Sequence, residues 1–430
     1  MFEGGFDVDS GKFAMELGDF RIRKVKKFER VWKVGTGGSV TSSTVLYNGV
    51  IYFGCADHFI YAINPGNGEP LWKYKTDGVI IEGSVYGKDG TIYIGSYDKN
   101  MYALKADDGK LVWKFRTNDK VCSTPVSDGG LLYFGSKDKN MYAVDIRTGG
   151  LVWKFRTYDD ICSEALVWRD RLIFGSYDHY LYCLDKKSGQ LIWKLETPAE
   201  IHNANGFSTK GNIIYFSCFD DYLRAVNMDT GTVLWKQRLG QYGCCTAPVL
   251  HGDVLYCTSR NGILYAVSTG GQMLWKFAAR DNIGIPLIDG ERIYAGSCDF
   301  NLYCIDLNGR EVWRFKTNGF IWWKSAIVGN NVVFGSWDCL LYCIDRETRD
   351  VIWKFKTAGG PSPIPPANDA FQLELKVHDS EKKEEGGKTY QLSLAGEGEE
   401  DGAFYKSRIT YQVSTQYREK GKYQTTDEDF

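Results

Sequence analysis

No stretch of the chain reaches the roughly 18 consecutive apolar residues that a membrane-crossing helix needs. The opening MFEGGFDVDSGKFAMELGDF also lacks a basic segment followed by an apolar one. The expectation is a cytoplasmic chain that is neither exported nor inserted in a membrane. Histidine is scarce, five in 430 residues, and none stands in a G-x-S-x-G or H-E-x-x-H context, so the serine-hydrolase and zinc-protease signatures are missing. Charge of one sign is missing too. The net value of −2 argues against a general nucleic-acid or anionic-membrane binder. The glycine-bearing YGKDGTIYIGS is a turn between strands, because no helix follows it to cradle a phosphate. Twelve cysteines without an export signal read as reduced thiols.

Aromatics are what the chain has in abundance: 15% of residues, with 13 Trp and 27 Tyr. Nine tryptophans share one frame, from RVWKVGT through PLWKYKT, LVWKFRT, LIWKLET, VLWKQRL, MLWKFAA and EVWRFKT to VIWKFKT. They are Trp32, Trp72, Trp113, Trp153, Trp193, Trp235, Trp275, Trp313 and Trp353, and they bracket eight units of about 40 residues. Each unit reads as four short strands separated by Asp-, Gly- and Lys-rich turns; in the third these are VCSTPVS, LLYFGS, NMYAVD and LVWKFRT. A lone four-stranded sheet cannot bury both faces, whereas radially stacked sheets can. The predicted fold is all-β, an eight-bladed β-propeller of four-stranded blades over 31–357. RVWKV near Val31 and VIWKF near Val351 both read as outermost strands, and we expect the N-terminal one to join the last blade.

The segments AVDIRTGGLVW (Ala143 to Trp153), CLDKKSGQLIW (Cys183 to Trp193) and AVNMDTGTVLW (Ala225 to Trp235) follow the form A-x-D-x-x-T-G-x-x-x-W. This resembles the tryptophan-docking repeat of pyrroloquinoline quinone (PQQ)-like propellers. That family includes quinoprotein alcohol dehydrogenases, a periplasmic outer-membrane-assembly scaffold and many uncharacterised propellers. The resemblance implies tryptophans that pack between blades.

Flanking the ring are an N-terminal lead-in (1–30) with the basic RIRKVKKFER, read as a solvated strand rather than a phosphate patch, and a Pro/Gly linker (358–370). A small C-terminal β region (371–417) carries three strand-like segments, FQLELKV, KTYQLSL and FYKSRITYQV, and a flexible tail (418–430) ends the chain. Residues 367–430 hold 14 acids and 9 Lys/Arg, so this end is acidic.

In propellers the first strand of each blade borders the central channel. Nine residues past successive tryptophans stand Ile81, Cys122, Cys162, His202 and Trp322, and the matching position of blade six is Cys245, beside Cys244. Cys122, Cys162, His202 and Cys245 therefore form a candidate thiophilic-metal set, zinc for example, although they span nearly half the ring. Cysteine also exchanges with alanine here: Cys183, Cys304 and Cys343 stand where other units have Ala62, Ala103 and Ala143. Glu82, Glu164, Trp323 and Lys324 are further channel candidates, with Glu164 and Lys324 in opposite blades, a lining suited to a small polar ligand.

The resemblance adds one more possibility. In quinoprotein dehydrogenases an adjacent cysteine pair forms a strained disulfide against the quinone, and Cys244-Cys245 falls at the matching place, with Trp322 or Trp323 as the stacking indole. Those enzymes carry long insertions and a calcium or lanthanide site, whereas every unit here is near 40 residues. No cofactor is expected.

The predicted function is a non-enzymatic scaffold for protein–protein interaction in a cytoplasmic complex, through the propeller rim and the C-terminal β region. The alternatives are a small-ligand or metal sensor at the channel mouth and a PQQ-dependent oxidoreductase. The turns ADHF, YDKN, KDKN, YDHY, CFDDY, RNGI, CDFN and WDCL place Asp beside aromatic and basic residues on one rim, with Trp337 an unrepeated aromatic.

Overall fold

The computed structural model describes residues 38–202, 206–240, 243 and 246–357, together with the strands Leu375–His378, Lys388–Leu394 and Thr410–Thr415. The lead-in 1–30, the strand candidate near Val31, the linker and the tail lie outside the described residues, as do Cys244 and Cys245.

Between Val45 and Lys356 the chain builds eight four-stranded antiparallel sheets, each from four consecutive strands. In blade four these are Leu166–Trp168, Arg171–Gly175, Tyr180–Asp185 and Leu191–Glu196. The short first strands of neighbouring blades lie against one another, and Val45–Tyr47 of blade one meets Ala326–Val328 of blade eight, so the ring closes. The predicted eight-bladed all-β propeller is present, and no helix occurs among the described residues. The outermost strand of blade eight is Val351–Lys356, continuous with its other three. The expected N-terminal strand is therefore not what fills that place. Separately, the chain has a second unit, composed of 1–28 and 369–430, in which the three C-terminal strands pair antiparallel in chain order.

The repeat motif explains how blades adhere. Within the turn after the third strand of blade three, Asp145 accepts the backbone N–H groups of Arg147 and Thr148 and the Thr148 hydroxyl. This turns the chain through Gly149, at φ 72°, a conformation that costs glycine little. The indole of Trp113 from the preceding blade lies over that glycine, so close that a Cβ would sit 2.8 Å from the ring. Its N–H donates to the carbonyl of Ile146 at 3.0 Å. The same donation recurs from Trp72 to Ala106, Trp153 to Lys186, Trp193 to Met228, Trp235 to Thr269, Trp275 to Leu307, Trp313 to Arg346 and, across the closure, Trp353 to Pro65. Each tryptophan is thus a peg driven into the next blade.

The core lies between blades rather than within them. Tyr133, Met141 and Ala143 of blade three pack with Leu172, Phe174, Tyr182 and Leu184 of blade four. Ala143 stands opposite Trp153 in its sheet, and Cys183, Cys304 and Cys343 stand opposite Trp193, Trp313 and Trp353 in the same way. These three thiols are fully buried and their pKa values are pushed up by burial, which makes them packing groups rather than nucleophiles. Cys183→Ala should cost about 1 kcal/mol or less, read as a small shift of the urea midpoint; a loss several times larger would show a role beyond packing.

The rim aspartates are spent internally. Asp178 accepts the Tyr180 backbone N–H at 3.1 Å and the Tyr182 hydroxyl at 2.8 Å. The same Asp–Tyr pair recurs at Asp57–Tyr61, Asp98–Tyr102, Asp138–Tyr142, Asp299–Tyr303 and Asp338–Tyr342. Capping of tight turns accounts for them.

Candidate functional site in the channel

Each blade enters its first strand through a short inner segment with a fixed division of labour. In blade three, Val121 packs on Gly95 of the preceding blade, and the Ser123 hydroxyl exchanges hydrogen bonds with N–H and C=O of Gly135 in its own second strand. Blade four repeats this with Ile161 on Gly135 and Ser163 on Gly175. Between Val121 and Ser123, and between Ile161 and Ser163, stand Cys122 and Cys162, both fully buried.

Blade two breaks the pattern. From Ile80, packed on Gly54, to Tyr86, paired with Tyr93, the segment runs one residue longer than from Val121 to Val126 or Ile161 to Leu166. The extra residue is accommodated at Glu82, where φ is 74°. Gly83 N–H donates back to Ile81 C=O at 3.0 Å, a γ-turn of the rare positive-φ kind. Glu82 is 0% exposed, and neither carboxylate oxygen has a hydrogen-bond partner among the described residues. One of its oxygens and the sulfurs of Cys122 and Cys162 all lie within 4.8 Å of one another.

Charge surrounds this trio. Burial alone would lower Lys137, but the neighbouring Cys162, Glu82, Cys122 and Tyr97 reverse it and the ammonium is held protonated. Burial, then the Glu82 charge, raises Tyr97 well above its usual value, and its hydroxyl is buried without a partner among the described residues. Burial also raises Cys122 and Cys162, and the Cys122 thiol donates to the carbonyl of Ile161 at 3.9 Å. Asp160 is raised to about 6, chiefly by burial and against the pull of Lys137.

The sequence-predicted residues distribute as follows. Cys122 and Cys162 come together, with Glu82 as the third member. His202 stands apart from that trio, its ring edge-on to Tyr177 at 5.5 Å and stacked on Phe219 at 6.1 Å. Glu164, raised to about 7 mainly by burial, feels the Lys324 ammonium from the opposite blade. Trp322 and Trp323 are 8% and 3% exposed and pack with Ile285, Phe219 and Cys298. Trp337 is engaged edge-on by Phe320 at 5.1 Å.

Sequence reasoning did not single out Tyr97, Lys137 and Tyr177 for the channel, counting them only among the turn residues on one rim. Each is the residue between the buried serine and the aspartate of the turn after the second strand. The signal was there: this position varies, as Tyr97, Lys137, Tyr177, Phe219, Arg260 and Trp337, while its neighbours repeat.

Fold and site together define a minimal, tryptophan-docked propeller with a polar channel. The chain belongs to the PQQ-like family described as outer membrane protein assembly factor BamB, whose model matches residues 56–214 and 219–361. No curated protein matches the chain. Among solved structures it resembles BamB from Moraxella catarrhalis, at 18% identity and TM-score 0.60 over 69% of this chain and 91% of that one. It also resembles the computationally designed Ika8 protein, at 16% identity and TM-score 0.64 over 72% and 96%. At these identities the likeness shows the fold alone.

Proposed function

We propose that the protein is a non-enzymatic scaffold that holds other proteins in a cytoplasmic complex. One observation carries this: the outermost strands, each at the free edge of its sheet, expose aliphatic pairs just before the docking tryptophan. Leu151 and Val152 are both 50% exposed, and Leu111–Val112, Leu191–Ile192, Val233–Leu234 and Val351–Ile352 repeat the arrangement. Free edges with apolar side chains are templates for an added strand. Alternating basic residues such as Lys154 and Arg156 on the same strands guard against indiscriminate pairing. The family's description as an assembly factor supports the reading. Because the rim aspartates serve their own turns, the outer strands are the primary contact, with rim aromatics and the C-terminal β region as secondary ones.

The test compares partner capture by the full chain, by the chain lacking residues 361–430, and by Val112→Thr/Val152→Thr/Ile192→Thr. The triple variant should melt like the wild type yet lose most bound protein. Undiminished capture by both altered proteins would refute the scaffold reading.

A further inference from the structure

Glu82, Cys122 and Cys162 are more than a buried polar accident, and we propose that they form a binding site for a thiophilic divalent cation, zinc or a close analogue. Three observations converge. First, the ligand atoms are already gathered: tetrahedral bonds of about 2.0–2.3 Å to thiolate and carboxylate put ligand atoms roughly 3.3–3.8 Å apart, and these three lie within 4.8 Å. Closure by about 1 Å completes the set.

Second, Glu82 is costly as it stands. Its carboxylate is fully buried and neither oxygen has a hydrogen-bond partner among the described residues, a placement that proteins avoid unless the charge is paired or metal-bound. The residue sits at φ 74° in a segment one residue longer than its counterparts in blades one, three and four. Strain combined with a buried carboxylate that accepts no hydrogen bond among the described residues, in a break of the repeat, marks a site with a purpose.

Third, the charges can balance. A dication with two thiolates and one carboxylate carries a net charge of −1, and a cation is built in nearby, with the Lys137 ammonium lying 5.6 Å from the Tyr97 ring centroid. Binding breaks two S–H bonds and forms two metal–sulfur bonds and one metal–oxygen bond, and the two thiol protons pass to solvent. A solvent molecule would take the fourth position. Blades two, three and four would then share one ion, a pin across two blade seams that is independent of the scaffold role proposed above.

The experiment uses the full chain, stripped with chelator and kept under a non-thiol reductant, and titrated with cobalt(II) chloride and separately with zinc chloride. Wild type should show saturable thiolate-to-cobalt charge-transfer absorption, stoichiometric with the chain, that zinc abolishes, and zinc should raise its melting temperature. Cys122→Ser and Cys162→Ser should lose the absorption, and Glu82→Gln should weaken binding by at least the roughly 10–100-fold that loss of an outer-shell partner costs. Glu82→Gly is the decisive partner variant: without metal it should melt above the wild type, because both the buried charge and the strain are gone, yet zinc should no longer stabilise it. A wild type without the absorption, or a Cys122→Ser protein that binds cobalt undiminished, would overturn the site. So would a Glu82→Gly protein that zinc stabilises as it does the wild type.

Discussion

Trp353→Ala should lower the unfolding free energy by about 3–5 kcal/mol, and Trp113→Ala should lower it by a similar amount. Both indoles are buried at a blade seam. Each lies on a left-handed glycine of the next blade, Gly68 for Trp353 and Gly149 for Trp113, and donates its N–H to a carbonyl there, Pro65 and Ile146. Truncation leaves a cavity too well braced to collapse and strands a carbonyl that had a partner. The comparison of the two variants carries the information. In an open stack, each repeat touches only its neighbours and a terminal seam can fray without unfolding the rest. In this ring Trp353 bridges the last blade to the first, so its seam is no more dispensable than the one at Trp113. Urea unfolding of both proteins decides it. A Trp353 loss far below the Trp113 loss would mean that the junction between blades eight and one contributes little. Trp353→Phe should fall between, keeping most of the packing and losing only the hydrogen bond.

Asp220→Ala should be equally severe, about 3–5 kcal/mol. Blade five departs from the Asp–Tyr turn: where its neighbours have a tyrosine, it has Arg224, whose side chain is 6% exposed against 10% for Asp220. The guanidinium donates to both carboxylate oxygens and reaches Cys218 Sγ at 3.2 Å, while the Cys218 thiol donates to Asp220 at 2.8 Å. Removing the carboxylate strands a buried cation. Arg224→Tyr, which restores the solution used at Asp178–Tyr182, should cost far less. The pH dependence follows from the same contacts. Burial pushes the Asp220 carboxyl up, but Arg224 and the Cys218 thiol outweigh it and hold it below its ordinary value of 3.8. The folded state therefore binds this proton less readily than the unfolded chain. The stabilisation is complete above pH 3.8 and drains away as pH falls through the folded value. Acid titration of melting temperature should show that limb in the wild type and lack it in Asp220→Ala.

The fold was legible because its glue is a single large residue at a nearly constant interval. The spacing of Trp72, Trp113 and Trp153 counts the blades directly, and the glycine each one needs is written into the same motif. The expected third and fourth strands appear where the alternation put them, as Asn140–Asp145 and Leu151–Arg156 show. The site was only half legible. Counting from the tryptophans located Cys122 and Cys162 on adjacent blades, but counting cannot show that their sulfurs converge. It also ran one residue short of the feature that matters, since the insertion in blade two follows Ile81, the residue at the counted position. Glu82 therefore stood as one more neighbour rather than as the break in the repeat. Lys137 and Tyr97 were lost for a different reason: a turn residue is exposed by default, and only the ring geometry turns this one towards the axis. The choice of closing strand failed because two sequences suit one position equally well, and continuity with blade eight decides it.

The closure has a topological corollary. Thr357 donates its hydroxyl to the carbonyl of Gly38 at 2.6 Å, so the chain enters and leaves the ring at almost the same point. Where that point lies among the eight seams is then an accident of connectivity rather than of architecture. A short bridge from residue 357 to residue 38, with new termini cut into an exposed turn such as Gly129–Gly130, should yield a circular permutant that assembles the same ring.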